Sequence, residues 1–162
     1  MNFLEYKMTP KIITISEKKL VGQSSTMNHG EYGKIVSLWK QFMPRKKEIK
    51  TVLHPDLIAV QIYNDFNAME TPFDIWAATE VSNVDDLPKN MASITIPKGD
   101  YAVFRHKGMD ASKTYQYIMT EWLPSTPYKI DTRPHFQVMG AQYKNGSPDS
   151  EEDFYVPFAL KQ

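Results

Sequence analysis

The chain of 162 residues has no cysteine, and that absence alone excludes a disulfide framework, thiolate catalysis and a zinc ribbon. It has no surplus of either charge: 19 basic and 19 acidic residues sum to a formal net charge of zero. A surface built mainly for phosphate needs a basic excess, so direct nucleic-acid binding is not expected. No apolar run is long enough to cross a bilayer, and the first ten residues carry Glu5 and Lys7 where a secretory leader needs a continuous apolar stretch. The expectation is a soluble, cytoplasmic protein with no membrane partner. Glycine is sparse, at seven residues, and forms neither GxGxxG nor a P-loop: Gly33-Lys34 is followed by Ile35, where Ser or Thr is required. There is no GxSxG elbow. His29, His54, His106 and His135 show no HxxxH or HExxH spacing. Accordingly no metal, no cofactor and no catalytic residue is predicted.

What the chain does have is an internal echo. Ile35, Leu38, Trp39, Phe42, Met43 and Pro44 recur, 80 residues later, as Tyr115, Ile118, Met119, Trp122, Leu123 and Pro124. In each copy the apolar residues fall at i, i+3, i+4 and i+7, one face of a helix, and a proline ends the run. The surrounding elements repeat in the same order. A strand over Lys11–Ser25, a helix within Gly30–Pro44, a charged connector over Arg45–Pro55 and strands at Leu57–Tyr63 and Phe73–Val81 make the first half. Asn64–Pro72 reads as a turn between those strands, and the polar Ser82–Lys89 joins the halves. The second half has an extended Met91–His106 broken by a turn at Pro97, Lys98 and Gly99. It continues with a helix from Ser112, its predicted N-cap, to Leu123, and a loop over Pro127–Pro134. Strands at His135–Tyr143 and Asp153–Leu160 follow, joined by a turn at Asn145-Gly146. The predicted fold is therefore α+β: tandem duplicated β-α-β-β modules, about 11–82 and 91–161, in one domain spanning 1–162. An antiparallel sheet carries the helices on one face, with a ligand cleft between the modules.

Candidate binding residues follow from strand alternation. Aromatic residues, among them Trp76 and Tyr101, fall on predicted strands, and most of them must be core. Glu80, in an otherwise apolar or small strand, either faces a cleft, where it would attract a cation, or ends the strand in solvent. On the last two strands Phe136 and Val138 oppose His135, Gln137 and Met139, while Phe154, Val156 and Phe158 oppose Asp153, Tyr155 and Pro157. The expectation is that the apolar faces meet the helices and that Gln137, Asp153 and Tyr155 share a mixed, ligand-facing side. Glu151 and Glu152 read as hairpin charges that maintain solubility. Tyr115, Ile118, Met119 and Trp122 read as core, with an edge of Trp122 turned to the cleft.

The run Ile96-Pro97-Lys98-Gly99-Asp100-Tyr101-Ala102-Val103-Phe104-Arg105-His106-Lys107-Gly108 resembles a signature of GyrI-like small-molecule-binding domains, which include effector-binding domains of bacterial multidrug-responsive transcription activators. Glu121-Trp122-Leu123-Pro124-Ser125, Arg133-Pro134 and Phe154-Tyr155-Val156-Pro157 fit in order and spacing, so the resemblance covers residues 93 to 158. It implies two modules about a pseudo-twofold axis and a pocket for hydrophobic, often cationic compounds, gripped by aromatic rings and a buried glutamate. That glutamate usually stands in a Phe-Glu-Val-Tyr-like run, where this chain has Phe136-Gln137-Val138-Met139. An amide cannot neutralise a charge. Either Glu80 or Asp153 supplies it, or the ligand is neutral. The expected function is that of a stand-alone small-molecule-binding protein without a DNA-binding domain, taking a small hydrophobic or aromatic ligand. Its expected ligand-binding residues are Trp76, Glu80, Tyr101, Trp122, Gln137, Met139, Asp153 and Tyr155. A small-molecule hydrolase and a DNA gyrase inhibitor, each known among relatives, are the alternatives, and a homodimer stays open.

Overall fold

A computed structural model describes residues 8–64, 71–144 and 146–161. Among these residues nine strands form one curled antiparallel sheet, a half-barrel, accompanied by two helices, an α+β fold. The strands are β1 (Lys11–Ile15), β2 (Lys18–Met27), β3 (Val52–Ile62), β4 (Phe73–Val81), β5 (Ala92–Ile96), β6 (Gly99–Lys107), β7 (Tyr128–Ile130), β8 (His135–Met139) and β9 (Glu151–Leu160). Their spatial order is β1-β6-β9-β8-β3-β4-β2-β5, with β7 paired to β9.

The single strand expected over Lys11–Ser25 is two strands, broken at Ser16-Glu17. β1 leaves β2 and pairs with β6, Lys11 opposite Val103 and Ile15 opposite Gly99. β5 likewise leaves β6 and pairs with β2, Lys18 opposite Ile96. Strand β3 begins at Val52, inside the expected connector, because the chain stays extended through His54-Pro55. Proline has no N–H for the ladder, and its register with β4 shifts between Val52 and Leu57. The expected loop before β8 contains β7, and β8 ends at Met139 rather than Tyr143. Of the expected Asn145-Gly146 turn, Asn145 lies outside the described residues, as do residues 65–70 of the expected Asn64–Pro72 turn. Gly146 has φ of 77°, a conformation glycine adopts at no steric cost.

Helix α1 (Gly33–Phe42) buries Leu38 and Phe42, one turn apart, and then tightens into a 3-10 turn at Met43–Glu48 with Pro44 near its start. Helix α2 (Ala111–Tyr117) is capped by Asp110, whose carboxylate accepts the Lys113 amide at 3.2 Å. Ser112, the predicted cap, instead sits inside the helix and donates its hydroxyl to Asp110 at 2.6 Å. The helix widens to a π turn over Ile118–Trp122 and closes in a 3-10 turn at Leu123–Ser125.

Among the described residues three apolar clusters make the core. Leu38 and Phe42 of α1 pack with Val21, Phe73 and Ile75, and Ile118 packs with Phe104, Phe154 and Val156. Leu20, Val60, Tyr101 and Phe136 form a third cluster that includes no helix residue. The last is formed by opposite-parity residues of the same strands, so both faces of the sheet are apolar.

Candidate functional site

A cleft of about 530 Å³ lies over the sheet between the start of α1 and α2. Volumes of 300–1,000 Å³ or so are usual for small-molecule sites. Register explains why residues from four central strands meet there. Ile75 pairs with Gln61, Gln61 with His135, and, two residues on, Gln137 with Phe154. Directly paired residues share a face, so this row continues across the sheet from the α1 cluster to the α2 cluster.

Aromatic rings line one wall. His29 stands 4.8 Å from Phe73, Tyr63 another 4.8 Å from Phe73, and Tyr63 packs edge-on to His135 at 5.0 Å. The Tyr115 hydroxyl meets Nδ1 of His135 at 2.7 Å and also hydrogen-bonds Tyr63. Burial holds the Tyr63 phenol up at about 12 and Tyr115 well above its ordinary value, so both stay protonated at neutral pH. His135 is pushed down to about 3, first by burial and then by Arg133, and is neutral. Met27 and Met119 complete the apolar lining.

Of the polar groups that interrupt it, two features stand on the sheet itself. On the floor, Gln61 and Gln137 exchange amide hydrogen bonds in both directions, at 2.9 and 3.0 Å. This closed pair leaves the floor uncharged. At one end stands Glu152, opposite His106 in the β6–β9 ladder. Burial, and secondarily Asp153, push the Glu152 carboxyl up to about 7. His106 does not compensate it. Its Nε2 donates to the Gly108 carbonyl at 3.0 Å, its Nδ1 meets the Thr114 hydroxyl at 2.6 Å, and burial lowers its pKa, so the ring is neutral. Among the described residues Glu152 forms no ion pair.

Of the residues expected to bind ligand, only Gln137 lines this cleft. Gln137 pairs with Phe154, whereas Tyr155 pairs with Phe136 and Asp153 with Val138. The expectation that Gln137, Asp153 and Tyr155 share a side is therefore corrected: Gln137 is on the face that lines the cleft and the other two are on the opposite one. There Tyr155 stacks on Phe136 at 4.4 Å, and Asp153 binds Arg105 at 3.1 Å. Tyr101 is fully buried on that face and donates to the Pro134 carbonyl at 3.1 Å, and Trp76 packs against the same cluster. Glu80 meets Lys18 at 3.5 Å and His54 at 3.8 Å. Trp122 packs edge-on against Phe104 at 5.1 Å, and Met139 ends β8 opposite Leu57.

The structure also overturns the reading of Glu152 as a hairpin charge. It shares the strand parity of Phe154 and Val156, residues assigned to the helix side, and that parity was the signal that could have found it. Tyr115 and Met119, read as core, pack against the cluster of Phe104, Ile118 and Phe154 and also line the cleft. His29 and Gln61 gave no sequence signal.

Among the described residues no cluster of three or more His, Cys, Asp or Glu could hold a metal ion, and no helix is long and apolar enough to cross a membrane.

Known structures share the fold. SAV2435, solved bound to tetraphenylphosphonium, superposes with a TM-score of 0.67 at 16% identity over 94% of each chain. The integron cassette protein VCH_CASS2 from Vibrio cholerae gives 0.65 at 13% identity, over 94% of this chain and 99% of the other. The EcmrR C-terminal domain gives 0.69 at 18%, over 95% and 99%. At such identities the likeness is one of fold alone. No curated protein matches the sequence. Residues 11–158 match the profile described as Cass2, integron-associated effector binding protein, and the chain belongs to that family.

Proposed function

We propose that the cleft binds a lipophilic organic cation as an effector, with aromatic faces taking the cation and Glu152 supplying the opposite charge. The observation that carries this reading is Glu152 itself: a carboxylate at the end of an aromatic cleft, with its cross-strand histidine neutral and no cation paired to it among the described residues. Glu80 and Asp153, the expected sources of charge, already face Lys18 and Arg105. A cation over a ring face gains on the order of 0.5–2 kcal/mol, more as water is excluded. Tetraphenylphosphonium, the ligand of SAV2435, has the corresponding chemistry: a delocalised charge wrapped in aromatic rings.

The reading includes a duplicated architecture, with α1 and α2 on one sheet face and the cleft between two β-α-β-β modules. Two features support it. Exchanging β1 with β5, β2 with β6, β3 with β8 and β4 with β9 turns the strand order into its own reverse. Each helix also runs into a 3-10 turn with proline at its second position, Met43-Pro44 and Leu123-Pro124.

The test is isothermal titration with tetraphenylphosphonium and with tetraphenylborate, its near-isosteric anion. The phosphonium should bind and the borate should not. Glu152→Gln should weaken the phosphonium roughly fivefold to twentyfold, the scale of one partly solvated charge pair. Equal affinity for both ions, or a Glu152→Gln variant that binds as wild type, would sink the proposal.

A further inference from the structure

A second cavity, of about 550 Å³, adjoins the cleft, and Tyr63, Asn64 and Met119 line both. The partition between them is thus a tyrosine ring, an amide and a methionine, and methionine is the side chain that adapts most readily to a new neighbour. The two chambers differ in charge. Among the described residues, the cleft has Glu152 as its acid, and the second chamber is lined by Lys129, Arg133 and Lys161 against the one carboxylate of Asp131. Asp131 is committed to Arg133, which it meets at 2.5 Å, and Arg133 also donates to the Asp100 and Phe158 carbonyls at 2.9 Å each. Lys129 and Lys161 are carried by β7 and by the residue following β9, strands that pair with each other. Neither lysine forms an ion pair among the described residues; Lys161 donates at 3.4 Å to the Thr126 carbonyl.

We infer that the two chambers form one bipartite site for an amphoteric ligand: an aromatic cation in the cleft, bearing an anionic arm that passes Tyr63 and Met119 to reach Lys129 and Lys161. The inference rests on the cation reading of the cleft and adds the second charge to it. A ligand of one charge leaves one chamber unused, whereas a zwitterion meets opposite charge at both ends. Carboxylate, sulfonate and phosphate arms share this chemistry.

Two probes of equal arm length separate the ideas: pentyltriphenylphosphonium and ω-carboxybutyltriphenylphosphonium, which differ by a methyl against a carboxylate. Titrated into the wild-type protein, the carboxylate compound should bind roughly threefold to tenfold more tightly, as expected for partly exposed lysine–carboxylate contacts. The advantage should shrink at high ionic strength. In the Lys129→Met, Lys161→Met double variant it should vanish while the pentyl compound binds as before; both lysines are exposed, so the fold should survive. Equal binding of the two probes to wild type would overturn the bipartite site and leave the cation cleft standing. A preference that persists in the double variant would overturn it too. If neither probe binds, the cation cleft fails and the bipartite site fails with it.

Discussion

If Glu152 supplies the charge in the cleft, affinity for a permanent cation must follow its ionisation, and pH is the cleanest perturbation. With a carboxyl at about 7, Glu152 is roughly one-tenth ionised at about pH 6 and nine-tenths ionised at about pH 8. A charge pair about 5–6 Å apart at an effective dielectric of about 20 is worth about 3 kcal/mol, and solvent at the cleft mouth reduces that to about 1.5–2. The ionised form then binds roughly twentyfold tighter than the protonated form. Tetraphenylphosphonium affinity should rise about fivefold to tenfold from pH 6 to pH 8. Binding at pH 7 should also release roughly half a proton, because the ligand pulls the carboxyl down by about one unit. Titration calorimetry in buffers of different ionisation enthalpy reads both quantities. His135, pushed down to about 3, is already neutral in this range, and the Tyr63 and Tyr115 phenols keep their protons, so none of these contributes, while burial holds His106 below its ordinary value. His29 stands at the cleft mouth, and a His29→Asn variant should keep the pH dependence that Glu152→Gln removes. Affinity that is flat between pH 6 and 8, or a slope that survives in Glu152→Gln, would refute the assignment of charge to this residue.

The same carboxyl leaves a mark on stability. Its folded pKa lies above the unfolded value of 4.5, so the fold loses stability as pH rises from about 4.5 to about 7 and is level above that. Glu152→Gln should therefore raise unfolding stability at pH 8 by about 1–2 kcal/mol, after discounting for solvent screening, and do little at pH 4.5; equal effects at both pH values in urea melts would contradict this. Tyr115→Phe removes the hydroxyl that hydrogen-bonds Nδ1 of the buried His135 and should cost about 1–3 kcal/mol in the same assay, while a variant as stable as wild type would show that the bond contributes nothing net. Gly22, between β4 and β5, lies where an added Cβ would collide with the Ala77 carbonyl. Gly22→Ala should destabilise by about 3 kcal/mol or prevent folding, since backbone hydrogen-bonded to a neighbour on each side cannot readily move aside; a soluble variant melting within a few degrees of wild type would count against that packing.

The elements were largely legible and their partners were not, for a physical reason. Leu38 with Phe42, and the stripe through Ile118, declare helix faces because helical period is a local property of the chain. Strand β4 declares itself over Phe73–Val81 through its aromatic and β-branched content. Which strand lies beside which depends on hydrogen bonds between residues far apart, such as Lys11 with Val103, and no local pattern encodes them. The site fell to the same limit. Alternation separates the two faces of β8 and of β9 correctly, but aligning those faces needs the register. Matching apolar Phe136 to apolar Phe154 is the natural choice, and it is one residue out, because both faces of this sheet are apolar. The true pairing sets Gln137 opposite Phe154. Glu152, two residues before Phe154, then becomes a same-face diagonal neighbour of Gln137, a relation that typically spans about 7–8 Å. The glutamine at the family's glutamate position thus need not mean a neutral ligand. Gln137 is occupied by Gln61, and the negative charge stands one diagonal step away on the adjoining strand, where it can face the same cleft from a different end.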